Sequence, residues 1–512
     1  MIHAIESNGC RPITIRKQQS LPDVELEEKF EKQTTQRGWK RFFLRTFFVL
    51  GIVLIGLLLF RLQMWKKGES KLAEVVNQID NTEQQWTLEE IEAARIARAP
   101  PHDQNASRLV LEVADSIPEM WNEWRKQSKW WEPTHDNHLS SPKRVQELNH
   151  HRDSTAQVRT QALKLRDLWK GNYTFQWMDN PIAVSLPHLD QAGRVVALLE
   201  YDARLAAIDR DPDRGIQAAH AALNVARSIG DEPTLVSQNF RMMFRCRAAV
   251  TALGTIANGV PTDGLEELQT AFFQEADERL MLNGLRGERA AFHRMFEGLE
   301  SSRLEMGNLF PQGGEVGTAL AIPAVFEAYR PFLPGDHAEF VRLCSLSLEV
   351  AKLPWHEQGD AIKTIVDEKE KLAESIYPIT RLIFPPLSFF VERCLRNRAQ
   401  ILITATAIAC ERFRQQNGRW PRELAEIPKT ILPALPQSPF DGQPLSYQVF
   451  PNRIALTCYS WPKGSARRAV EYRELKAGPI EFRNPEVPGF GIAVCVWTAE
   501  HRGLEVEVRN NK

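Results

Sequence analysis

The sequence predicts a mainly α-helical protein, a membrane-anchored body of helical hairpins followed by a small α+β module with extra C-terminal strands. Three observations carry that prediction. Thr46 to Phe60 run for fifteen residues without a charge. Helix-length amphipathic stretches separated by Gly and Pro fill Asn105 to Ile376. After Gln416, proline-rich turns give way to loosely alternating residues. The bulk numbers exclude several classes. The 512 residues are 43% hydrophobic and 25% charged, which excludes wholesale disorder. A negative mean hydropathy excludes a multi-span membrane protein. Lys and Arg number 64 against 65 Asp and Glu, so a general nucleic-acid binder is not expected. Seven Cys without a CxxC spacing do not make a disulfide scaffold.

Taken in order, residues 1–41 have mixed charge and no periodicity, and predict a flexible cytoplasmic tail. Residues 42–65 predict a transmembrane helix. Their 24 positions at 1.5 Å each cross a hydrocarbon layer about 30 Å thick, with Arg45 and Arg61 snorkelling and Phe42, Phe43 and Trp65 at the interfaces. A buried core helix is the competing reading, but basic clusters bracket the run. A cleaved signal peptide fits poorly, since 41 residues precede the run and no small-x-small site follows. Five basic residues before it (Lys32, Arg37, Lys40, Arg41, Arg45) stand against four after it (Arg61, Lys66, Lys67, Lys71). That bias predicts an inner (plasma) membrane protein with its N-terminus in the cytoplasm and its body outside. The charge split agrees: nine basic and six acidic residues precede Thr46, and the remainder of the chain is slightly acidic.

Residues 66–104 predict a juxtamembrane helical linker, in which Thr87-Leu88-Glu89-Glu90 matches a capping box. Residues 105–378 predict the helical body. Its most repeat-like stretch is Leu198–Pro233, two helices flanking Asp209-Arg210-Asp211-Pro212-Asp213, with alanines in the second helix permitting close approach. No 34-residue period continues on either side. Residues 306–340, rich in Gly and Pro, predict a loop over the body.

Residues 379–464 predict a helix plus hairpin. The helix spans about Cys394–Gln416 and ends in Asn417-Gly418-Arg419-Trp420-Pro421, where Asn-Gly closes a helix and Pro prevents its resumption. Pro439-Phe440-Asp441-Gly442 follows, then strands at Leu445–Phe450 and Arg453–Tyr459. This order resembles the head of the major pseudopilins of type II secretion, over about 70 residues (394–464). With the helical body before it, the chain is similar to single-pass membrane proteins of planctomycete-type bacteria, a resemblance that brings no activity with it. The departures are specific. More than 300 residues separate the membrane helix from the head helix, no prepilin leader precedes Phe42, and Asp441 is the only carboxylate between Glu426 and Glu471. One carboxylate cannot supply a calcium shell. Residues 465–512 predict a β-rich tail. Cys458 and Cys495 fall on predicted strands, where they either form a disulfide or are small buried apolar residues.

No residue is assigned a catalytic, cofactor-binding or metal-binding role. His135, His138, His150 and His151 crowd 17 residues, yet no HExxH or CxxC accompanies them. His293 and Glu297 stand at i, i+4 after Glu288-Arg289, an ion-pair spacing that also suits a catalytic pair. Trp121, Trp124, Trp130 and Trp131 either stack on a sugar or partner, or anchor a helix to the body. Asn105-Ala106-Ser107 and Asn172-Tyr173-Thr174 fit the glycosylation sequon. No GxSxG, P-loop or GxGxxG is present. Three functions follow: a non-enzymatic interaction or scaffold protein with lipid and unknown protein partners, an envelope hydrolase with its site between body and C-terminal module, and a secretion-system accessory docking through the pseudopilin-like module. The first rests on the anchor and the missing catalytic motifs.

Overall fold

The computed structural model describes residues 23–128, 142–309, 314–372, 375–459, 478–483 and 490–497. The chain divides into two units, Met1–Lys66 and Lys67–Lys512. The first is helical: α1 (Asp23–Thr82) begins here and contributes its last turns to the second unit. The start at Asp23 corrects the expectation of a flexible tail to residue 41. No proline interrupts 23–82, Glu28 and Lys32 stand at a favourable i, i+4 spacing, and each residue added to an existing helix gains a hydrogen bond. Every large apolar side chain from Phe42 to Leu62 is exposed, between 49% and 75%. One helix is therefore long and apolar enough to cross a membrane.

In the second unit, α2 (Leu88–Ala97) starts at the expected capping box: the Thr87 hydroxyl accepts from the Glu90 N–H, and the Glu90 carboxylate accepts from the Thr87 N–H. Four short helices follow, α3 (Ala106–Ser116), α4 (Glu119–Gln127), α5 (Pro142–Asn149) and α6 (Ala156–Leu163). The hairpins are built from α7 (Pro187–Asp209), α8 (Pro212–Ser228), α9 (Leu235–Asn258), α10 (Leu265–Asp277) and α11 (Leu280–Glu300). The α7–α8 turn is made by Arg210 in the left-handed region (φ 59°), Asp211 capping Arg214, and Pro212 at the first helical position. Ala218, Ala219, Ala221, Ala222 and Ala226 are all fully buried, so the neighbouring helices approach closely there.

Residues 306–340 hold helices instead of the expected loop: α12 (Gly314–Leu320), α13 (Pro323–Tyr329) and the start of α14 (Leu333–Lys352). Pro323 and Pro334 sit in the first turns, where the missing N–H costs nothing, so they start helices rather than interrupt them. Then come α15 (Trp355–Lys371), α16 (Pro378–Ile383) and α17 (Leu387–Asn417). Asp336 on α14 caps α16 from outside, accepting from the Ile379 and Thr380 N–H groups at 2.9 Å each and from the Tyr329 hydroxyl.

The sheet is antiparallel, in the order β1-β2-β4-β3: β1 (Ser446–Phe450), β2 (Arg453–Tyr459), β3 (Gly478–Arg483) and β4 (Phe490–Trp497). The expected strands at 470–475 and 504–508 lie outside the described residues. The boundary expected at 379 does not separate two cores. One core joins α7–α10 to Ala399–Phe413 of α17 and to Ile454, Leu456, Cys458 and Val496 of the sheet. A second joins α11, α14 and α15 to Phe390–Leu395 at the other end of the same α17. The single 31-residue helix α17 thus contributes to both cores through its two ends.

Candidate functional site

Buried imidazoles meet where the end of α1 and the following residues, 67–86, lie as a strap over α11 and α14. The strap crosses α14 at two glycines: a Cβ on Gly68 would come within 2.6 Å of the Gly335 backbone nitrogen. It is then pinned by charge. Lys71 Nζ lies 2.7 Å from Glu339, and Glu83 takes Arg286 at 2.9 Å and Arg289 at 2.7 Å. The two arginines outweigh the burial of Glu83 and hold its carboxyl below the ordinary range. At the strap's end, the Trp86 indole N–H donates to Asp80 at 2.7 Å while its ring lies against His293, 4.9 Å between centroids.

From His293 a chain of hydrogen bonds runs inward and back out. His293 Nδ1 is 2.7 Å from His337 Nε2, and His337 Nδ1 is 3.0 Å from Glu300 Oε1. Phe296 is parallel to the His337 ring at 4.8 Å, which seals it. Glu297 stands 3.6 Å from His293 Nε2 at the other end. His337 is fully buried and His293 nearly so, whereas Glu297 is half exposed. Burial lowers both imidazoles to about 3, with His337 and Arg289 adding to the effect on His293. Burial, with Glu69 nearby, raises Glu300 to about 7. With Glu300 ionised, donation runs from His293 through His337 to the carboxylate. With Glu300 protonated, the direction reverses and the His293 Nε2–H points at Glu297. The chain therefore relays a proton between two tautomeric forms near neutrality. Among the described residues no hydroxyl or thiol bonds either imidazole, so no nucleophile–base pair is assembled. Those residues also hold no group of three or more metal-ligating side chains.

His293 and Glu297 were marked by the sequence; His337, 44 residues away, and Glu300 were not. A lone His between Asp336 and Ala338 on an apolar helix carries no local signal, since its partner comes from a different element. The other marked residues are structural. Trp121 is fully buried and Trp124 lies edge-on to Tyr201 at 5.8 Å, so these two anchor α4 to α7. Trp130, Trp131, His135 and His138 lie outside the described residues. His151 is buried against Trp124 and its neighbour His150. The sequon asparagines are internal connectors: the Asn105 Oδ1 accepts from Ser107 and from the Asn172 N–H, and the Asn172 Oδ1 accepts from Arg95.

In the C-terminal segment, Asn417 ends α17 and Gly418 takes the left-handed cap (φ 74°). Trp420 is buried, and the Pro421 carbonyl accepts from the Tyr447 hydroxyl at 2.7 Å. Pro439 leads into Phe440, which packs against both cores. Asp441 turns the loop by accepting from Gln443 N–H at 3.1 Å, and a Cβ on Gly442 would come within 3.1 Å of the His356 ring. The disulfide alternative is overturned by register. Cys458 pairs with Ile492 and Cys495 with Ala455. The two cysteines are three positions apart on neighbouring strands, roughly 10 Å along the sheet, beyond the reach of a bridge. Cys458 is buried in the core.

Compared with family models, with curated proteins and with solved structures, the chain matches none.

Proposed function

We propose that the chain is a single-pass membrane protein whose helical body, outside the cytoplasm, serves as a non-enzymatic platform for a protein partner. The observation that carries the reading is the continuity of α1. A helix with a fully exposed apolar stretch runs on without a break into the strap, which three ion pairs and a glycine crossing fix to the body. An apolar surface of that extent is stable only in lipid or against a partner. The buried carboxylates Asp202 and Glu275 of the body are engaged by arginines, which supports a structural role for those charges. The pseudopilin-like loop is occupied internally by Phe440 and Gly442, which leaves the docking function less support.

The anchor is tested by fractionation. The full-length chain is expected to stay with membranes through alkaline carbonate extraction, and a chain lacking 42–65 to be released. Release of the full-length chain overturns the proposal. A reporter active only in the cytoplasm, fused after Lys512, is expected to be silent; a signal overturns the orientation. Crosslinking in intact membranes should recover a partner in fixed ratio, and recovery of none removes the platform reading.

A further inference from the structure

We propose that the His293–His337 pair is an acid-operated release for the strap. The pair is placed for it. His293 is the surface on which Trp86 rests, and His337 lies directly behind it in the body. A proton added to either ring puts a cation into a buried chain that already has its donors and acceptors matched. The strap is the more lightly held side of this joint: it adds Ile79 and Trp86 to the core, whereas α11 and α14 pack on each other along their length. This inference rests on the strap's geometry and goes beyond the membrane reading, on which it does not depend.

The charges facing the pair come from every element around it. The strap contributes Glu69, Asp80 and Glu83; α2 contributes Glu89; α11 contributes Arg289, Glu297 and Glu300, with Arg294 and Arg303 behind Glu297. From α14, His337 itself is the titrating group, and burial alone accounts for its shift. Arg330 closes the remaining side, donating to the Glu300 carbonyl at 3.1 Å. The acidic groups do not prevent the closed joint from excluding protons from its imidazoles.

The sign follows from proton counts. Closed, the joint holds one proton on Glu300 from about pH 7 downward and none on the imidazoles until about pH 3. Opened, both imidazoles return to about 6.5 and the carboxyl to about 4.3. Between those two values opening takes up two protons and gives back one. The opening equilibrium then approaches a tenfold rise per pH unit well below 6.5, and rises roughly 13-fold from pH 6.5 to 5. Below the carboxyl value the slope steepens. Glu83 and Glu339, held low by their cationic partners, stay ionised through this window and do not mimic the effect.

Hydrogen exchange on the full chain in detergent or nanodiscs tests this, with intrinsic rates corrected for pH. Peptides covering 67–86 are expected to lose protection roughly 13-fold between pH 6.5 and 5, while α7–α9 peptides hold theirs. His293→Gln leaves one imidazole to offset Glu300, so its strap response should be flat over that interval. Glu300→Gln removes the offsetting proton and should steepen the response to about 260-fold over the same interval. These two variants move in opposite directions, which a generally weakened fold would not produce. Unchanged strap protection at pH 5, or a full response in His293→Gln, overturns the proposal.

Discussion

Two regions of this chain bury ionisable groups and treat protons in opposite ways. In the hairpins, carboxylates are outnumbered by guanidinium groups. Asp202 on α7 is bound by Arg159 and Arg214, and Glu275 on α10 by Arg241 at 2.8 Å, with Arg245 and Arg227 within 4 Å. At the strap joint, two neutral imidazoles and one carboxyl are linked in a line. Burial alone would raise Glu275, but the arginines pull it below the ordinary range, whereas nothing cationic compensates Glu300. Burial penalises the charged form in both regions, and the charge of the neighbours decides whether that penalty prevails, as at Glu300, or is overcome, as at Glu275. The hairpins are built to keep one protonation state, and the joint is poised between two.

The largest effect should come from Glu275→Gln. It leaves Arg245 buried without its counter-charge and Arg241 with only the half-exposed Glu278 at 3.6 Å, and breaking one side of a buried pair costs about 3–5 kcal/mol. Denaturant unfolding of the full chain at pH 7 measures it. The pH dependence also has a fixed sign. A lowered carboxyl contributes stability that is present above its unfolded value near 4.5 and lost as pH falls below that. The wild-type advantage over the variant should therefore persist from pH 8 to 5 and shrink only in stronger acid. A difference that vanished near pH 6 would move Glu275 into the same class as Glu300.

What the sequence disclosed follows the same division. The hairpins, the capping box at Thr87, the turn at Arg210 and the strand Arg453–Tyr459 depend on neighbours a few residues apart, and spacing reports them. The prolines at 323 and 334 were misleading because a proline that starts a helix and one that ends it look alike until the first turn is located. The histidine joint was only half visible. His293 and Glu297 share a helix face, but His337 and Asp336 act through residues some 40 positions away. The continuity of one core through α17 was also hidden. A long helix with apolar residues around most of its surface can end a domain or thread two cores, and local sequence does not distinguish them.

A second, smaller effect probes the seam between the regions. Gly287 on α11 meets the loop before α9, and a Cβ there would lie 1.7 Å from the Pro233 carbonyl oxygen. That oxygen is backbone and cannot swing aside. Gly287→Ala gains about 1 kcal/mol in helix propensity. The forced shift costs about 3 kcal/mol, so the variant should lose about 2 kcal/mol net. Thermal unfolding decides the sign, and a raised Tm would mean that the α9 loop yields more easily than its packing suggests.

The smallest effect sharpens the comparison most, because it acts on the strap without touching any buried charge. Thr87→Ala removes the hydroxyl that caps α2 immediately after Trp86, a loss of about 1 kcal/mol. If the strap and α2 open as a unit separate from the hairpins, that loss appears as a roughly fivefold rise in exchange for peptides covering 67–97. Global denaturant stability should stay unchanged, because opening of the strap does not populate the unfolded hairpins. The rise should be the same at pH 8 and pH 6.5, since no titrating group is altered, and so differ from the acid response of the histidine pair. A drop in global stability of the full 1 kcal/mol would instead make strap and hairpins a single cooperative unit, and the contrast between them one of charge alone.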